Sequence, residues 1–167
     1  MISYDQYLQF SPYFAQEDMG KEEDRLNFLK LFNTLPQTVR NVLTSLDTAE
    51  KIINIGKTFG LDEFDTEALS FAVRKIITGE VFIGDSVELI AGEVGLTPEK
   101  AKNLLGLIVN EVFAPALEDI KKIQNEKFPQ RFGVPVQPQS QVPPPIKQPK
   151  PAQNDNPNII NLRNRQN

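Results

Sequence analysis

The chain of 167 residues contains no cysteine, no histidine and no tryptophan. The lack of cysteine excludes a disulfide framework, a thiolate metal site and a cysteine nucleophile. Without histidine the commonest general base is missing, and neither a Ser-His-Asp nor a Cys-His arrangement can be built. A metal would have carboxylates alone as side-chain ligands, which favours Ca²⁺ or Mg²⁺. Long apolar runs are absent too. The longest, residues 104–109, is six residues and includes Gly106, against about 20 needed to span a bilayer. Met1, Ile2, Ser3, Tyr4 and Asp5 include an acid and no base, and no apolar stretch follows, so no secretory leader is expected. A soluble, cytoplasmic protein is the expectation, with no membrane insertion.

What the chain does contain is unevenly distributed. The net charge of −4 joins an acidic body to a mildly basic tail. Residues 1–125 carry 12 basic and 20 acidic side chains, and residues 126–167 carry six and two. An acidic body is a poor match for a polyanion, because nucleic-acid affinity comes mostly from neutralised phosphates. Three segments follow from this and from the patterning.

Residues 1–21 form an aromatic arm. Tyr4, Tyr7, Phe10 and Tyr13 recur at every third position, with Phe14 beside the last. Such a stripe either lays its rings on the body or docks into a partner. The four are therefore candidate partner-binding residues.

Residues 22–125 show helical periodicity throughout. Leu26, Leu29, Phe32 and Phe28 supply a first apolar face. Thr34 and Gln37 have capping-box spacing, with Pro36 inside the first turn. Val39, Val42, Leu43 and Leu46 follow on one face. Asp47 and Glu50 form a second capping-box pair, opening a helix with Ala49, Ile52, Ile53, Gly56 and Phe59. Gly60 suits its left-handed stop. Asp65 is placed to cap a helix bearing Leu69, Ala72, Val73, Ile76 and Ile77, which Gly79 ends. Val81, Phe82 and Ile83 read as a buried connector. Asp85 and Glu88 cap a helix with Val87, Ile90, Ala91 and Val94, stopped by Gly95. Thr97 followed by Pro98 is a strong start signal. The last helix carries Ala101, Leu104, Leu105, Ile108 and Val112, then Leu117, Ile120 and Ile123, and Pro115 should kink or split it. The pairs Gly60, Leu61 and Gly95, Leu96 each close one helix and precede another. The fold class expected is all-α: a compact bundle of five to six helices built around two helix-turn-helix hairpins.

Residues 126–167 hold nine of the 13 prolines, with Gln and Asn filling much of the rest. The composition predicts a disordered tail of polyproline II character. Ile159, Ile160, Asn161, Leu162 and Arg163 break that pattern and read as a docking motif, with Ile159, Ile160, Leu162 and Arg163 as candidate partner-binding residues.

The usual signatures of chemistry do not assemble. Gly56, Lys57 and Thr58 end like a P-loop, but position 51 is Lys where that pattern needs Gly, and the residues before it read as helix. Asp62, Glu63, Asp65 and Glu67 lack the spacing of a calcium loop and sit where a helix begins, where acids favour its dipole. Glu80, Asp85, Glu88 and Glu93 read as a solvated face. No catalytic, cofactor-binding or metal residues are assigned. Ala91, Gly95, Thr97, Ala101 and Leu104 match the spacing of a DNA-binding helix-turn-helix over 87–105. Its reading helix would present Glu99, Lys100, Lys102 and Asn103, without the arginine that commonly leads base readout.

Leu35 and Pro36, the run from Asp47 through Gly56 to Gly60 and Leu61, the pair Gly95 and Leu96, and Asn110, Glu111, Val112, Phe113, Ala114 and Pro115 together resemble a group of small helical proteins predicted from candidate-phyla (Patescibacteria-type) bacterial genomes. The similarity covers about residues 35–123. It implies an all-helical fold and a bacterial source. The group has no established activity, so no site residue is carried over. The function expected is a non-enzymatic adaptor or assembly protein that binds a protein partner, with helix-turn-helix DNA binding as the alternative.

Overall fold

The structure is a computed structural model that describes residues 2–15 and 22–132. Every regular element among them is helical: α1 (Tyr4–Phe10), α2 (Glu22–Thr34), α3 (Gln37–Thr44), α4 (Leu46–Phe59), α5 (Glu63–Ile77), α6 (Ser86–Val94), α7 (Pro98–Leu107) and α8 (Leu117–Lys127). Short 3₁₀ turns at Ile83–Asp85 and Pro129–Phe132 flank α6 and follow α8. The predicted tail starts too early: Glu126 and Lys127 complete α8, and Pro129–Phe132 form a 3₁₀ turn, so regular structure runs past residue 125. Residues 133–167, with the motif at 159–163, lie outside the described residues. The described residues fall in one compact unit, so the aromatic arm belongs with the bundle.

The two expected hairpins are present. α4 turns into α5 through Gly60, and α6 turns into α7 through Gly95, both glycines holding positive φ (73° and 66°). α5 packs on α6 and α4 on α7, which joins the hairpins into one body. At the α4–α5 crossing Gly56 is buried, and a Cβ there would sit 2.7 Å from Thr66 Oγ1. The glycine that echoes a phosphate loop is thus a close helix contact. Leu43, Ile52, Leu69, Ile76, Ile90, Leu104, Ile108 and Phe113 form the interior.

Pro115 interrupts the last helix as expected, and the way it does so is informative. Pro115 has no N–H to give to the carbonyl four residues back, and its ring crowds that carbonyl. The chain between α7 and α8 widens into a π-helical turn at Ile108–Phe113 and then tightens into a 3₁₀ turn at Ala114–Ala116. Ile108, Val112, Phe113 and Ala116 still point inward, so the apolar stripe survives the change of pitch.

Several start signals fall elsewhere than predicted. Thr34 does not cap α3. It ends α2, its hydroxyl bonding the Leu31 carbonyl at 2.7 Å, and α3 begins only after Pro36. Asp47 lies inside the first turn of α4, where it pairs with Lys51 at 2.7 Å. Asp62, not Asp65, caps α5, accepting from the Asp65 amide at 2.9 Å. Asp85 precedes α6 without bonding its amides and instead meets Arg131. At α4, α5 and α6 acids lie within one turn of the helix start, while α3 has none in its first turn, and packing of the apolar face decides which position becomes the boundary. Thr97 does cap α7, accepting from the Lys100 amide at 3.4 Å, with Pro98 at the first helical position.

The first apolar face is rotated from the one expected. Phe28 and Leu35 are buried and Phe32 half-buried, while Leu26 and Leu29 face outward. The connector of Val81, Phe82 and Ile83 is half-buried. It is held by Gln124 of α8, a side chain only 1% exposed. The Gln124 amide donates to the carbonyls of Ile76 at 2.8 Å and Val81 at 3.0 Å, and accepts from the Ile83 amide at 2.9 Å.

Candidate functional site

The aromatic arm starts as a capped helix. Ser3 accepts from the Gln6 amide, and the Gln6 side chain accepts from the Ser3 amide. α1 then lies on α4 and α5. Phe10 is buried at 5% exposure and packs with Ala49 and Ile53. Its carbonyl accepts from Ser70 Oγ at 2.8 Å. The half-buried Tyr7 donates its hydroxyl to the Thr44 carbonyl at 2.8 Å. Ser11 Oγ and the Tyr13 amide both donate to the Leu43 carbonyl. The half-buried Tyr13 sets its ring edge-on to Phe14 and Phe32, each 4.9 Å away. Of the four candidate aromatics, Tyr4 stands out in solvent at 72% exposure, and Phe10, Tyr7 and Tyr13 are engaged with the body. Ile159, Ile160, Leu162 and Arg163 lie outside the described residues.

The arm's rings lead to a cation inside the body. Tyr13 neighbours Phe28, and the Arg74 guanidinium lies over Phe28 at 5.0 Å and over Phe71 at 4.8 Å. Arg74 is 8% exposed and reaches Glu80 at 3.6 Å. Lys75 lies over the Phe71 ring at 3.9 Å and reaches Glu93 at 3.6 Å. Stacking on aromatic faces lets a guanidinium leave water with part of its solvation replaced. The sequence reading missed this cluster. Its only local signal is a phenylalanine followed three and four residues later by Arg74 and Lys75, on one helical face.

A second aromatic cluster pins the end of the described body. Phe82 meets Phe128 at 5.5 Å and Phe132 at 5.2 Å. Arg131 lies over Phe82 at 4.9 Å and pairs with Asp85. Phe132, the last described residue, is thereby held near the start of α6.

Large apolar side chains left in solvent are Tyr4, Leu26, Leu29, Leu46, Phe64 and Phe132. Scattered single exposures are ordinary. Leu26 and Leu29 differ because they occupy adjacent turns on the outer face of one helix, at 48% and 42% exposure.

Electrostatics single out one surface triad. Asp119 accepts from Thr38 Oγ1 at 2.6 Å and from Lys122 Nζ at 3.0 Å. Those two bonds, the threonine's first, hold the Asp119 carboxyl below its ordinary value, and the same carboxylate raises Lys122. A lowered carboxyl contributes stability that is complete above its unfolded value near 3.8 and is lost as pH falls through the lower folded value. Replacing Thr38 with valine should return Asp119 toward that ordinary value. The drop in urea midpoint between about pH 6 and about pH 2.5 should then be smaller than in the unsubstituted chain. An unchanged drop would remove the threonine's assigned role.

The remaining sequence motifs lie on helices. Gly56, Lys57 and Thr58 lie within α4. Among the described residues no group of three or more acids is arranged to hold a metal, and no helix is long and apolar enough to cross a membrane. The 87–105 hairpin exists as a helix pair, with Glu99, Lys100, Lys102 and Asn103 exposed on α7. Fold and surface together define an all-α bundle with an aromatic arm stapled across two of its helices. No family model, no curated protein and no solved structure matches the chain.

Proposed function

We propose that this chain is a non-enzymatic adaptor or assembly protein that binds a protein partner through its body and a second through residues 159–163. The observation that supports the body's role is the outward pair Leu26 and Leu29 on a helix whose opposite face is locked by Phe28 and Leu35. Two leucines on successive turns are the kind of anchor that an apolar groove or a partner helix receives. The tail motif, joined by about 25 residues of proline-rich chain, would hold a second partner at raised local concentration.

Quantitative affinity purification with three baits tests this reading: the full chain, the double substitution L26D/L29D, and a chain lacking residues 157–167. Each variant should lose a different partner and keep the melting curve of the full chain. If both variants retain every partner, the reading is abandoned. The helix pair at 87–105 keeps DNA binding as the second reading. The acid at the front of α7 and the acidic body oppose phosphate contacts, so no mobility shift is expected even at about 50 mM salt. A shift there that disappears with rising salt would favour DNA binding instead.

A further inference from the structure

The outer face of α2 is laid out as a seam. Glu22, Leu26, Leu29 and Asn33 follow at steps of four, three and four, the spacing at which one helix meets another, and all four are exposed. Glu23 and Lys30, seven positions apart and both exposed, flank that stripe on one side. The α2 residues three or four positions from either of them are Leu26, Asn27, Asn33 and Thr34, none of them charged. Neither Glu23 nor Lys30 joins an ion pair among the described residues. Two opposite charges thus stand two turns apart beside an apolar pair, with no counter-charge on their own helix.

The seam is its own complement. Take a two-fold axis that crosses α2 midway between Leu26 and Leu29. An antiparallel second copy then brings Leu26 against the copy's Leu29, and Glu22 against the copy's Asn33, whose amide can donate to the carboxylate. Glu23 falls between the same two layers as the copy's Lys30, and the symmetry makes that ion pair twice. A parallel copy fails. It sets Glu22 against Glu22 and places Arg25 beside the copy's Lys30, a like-charge flank. Register and charge together select one occupant for this face, a second copy run antiparallel.

We propose that α2 is a homodimerisation helix: two copies of this chain pair antiparallel through Leu26 and Leu29, clasped by Glu23 of each on Lys30 of the other. This rests on the reading of Leu26 and Leu29 as a docking face and names its occupant. The 13 residues of α2 rise about 20 Å. A seam of that length buries less than the roughly 1,200 Å² at which stable complexes begin, so pairing is weak, with a dissociation constant on the order of 100 µM. Each dimer carries residues 159–163 twice, which makes the assembly bivalent toward the partner of that segment.

Sedimentation equilibrium of the purified full chain, from about 10 µM to about 1 mM, is the test, and monomer should pass to dimer across that range. L26D/L29D should weaken pairing at least about tenfold. Lys30→Glu and Glu23→Lys should each weaken it by about tenfold, because each turns two attractions into two repulsions. Mixed in equal amounts, those two reversed chains should pair with each other more tightly than either pairs with itself. The double variant E23K/K30E should recover the pairing of the unsubstituted chain, a rescue that a merely damaged helix would not show. The chain lacking residues 157–167 should pair as the full chain does. A chain that stays monomeric at the highest concentration, a dimer indifferent to Lys30→Glu, or a double variant without recovery would each overturn the proposal. If the chain is monomeric and L26D/L29D still loses a foreign partner in the affinity purification, the docking face stands and self-pairing falls. If it loses none, both fall.

Discussion

Gln124→Leu should destabilise the fold by about 3 kcal/mol, at roughly 1 kcal/mol for each of three hydrogen bonds. Leucine fills nearly the same space, so the loss isolates the bonds from the packing. The side chain it replaces is 1% exposed and joins Ile76 and Val81 carbonyls and the Ile83 amide to α8. Where water cannot reach the abandoned groups the cost rises, since an unsatisfied buried group forfeits its full solvation. Urea unfolding followed by helical circular dichroism gives the number, and a loss under about 1 kcal/mol would mean that water replaces the amide. Gln124→Glu adds a pH signature. A carboxylate facing two carbonyls is disfavoured in the fold, so that carboxyl would titrate above its unfolded value of about 4.3. The raised group's penalty is therefore smallest below that value. It grows as pH rises through the folded one.

Phe113→Ala should cost about 3–5 kcal/mol, the range for emptying a large aromatic site in a packed interior. Phe113 is fully buried and lies at the end of the π-helical turn before Pro115. Its ring belongs to the packed interior, so removing it leaves a cavity unless the neighbouring helices move. Phe113→Leu keeps most of the volume and should lose less than half as much. Thermal and denaturant unfolding of the two variants check the order, and equal losses would show that shape at this site matters more than volume.

What could be read from sequence was what is settled within one turn. Gly60 and Gly95 end helices because a left-handed residue is needed there, and Thr97 with Pro98 starts one. Pro115 breaks a helix wherever it is placed in one. The all-α class followed from periodicity alone. The misplaced boundaries at Thr34, Asp47, Asp65 and Asp85 share a cause: several acids and hydroxyls lie within reach of each start, and distant packing selects among them. α2 shows the same competition between faces. Leu26 and Leu29 have helical spacing as good as that of Phe28 and Leu35, but Phe28 meets Tyr13 and Arg74 and Leu35 joins the main core. Gln124 was invisible, since a polar residue carries no local mark of being buried. The tail motif was legible only as composition.

The stapled arm also sets an order of assembly. Ser11 reaches back to a carbonyl 32 positions away, and Phe10 meets a hydroxyl 60 positions away. On the ribosome residues 3–15 emerge before α4 and α5, yet the surface they grip does not exist until α5 has been made and packed. Contacts of such long sequence separation form late, because loop closure must precede them. α1 thus joins only after α5 is in place, and its amides should exchange with solvent deuterium ahead of those in α4 and α5.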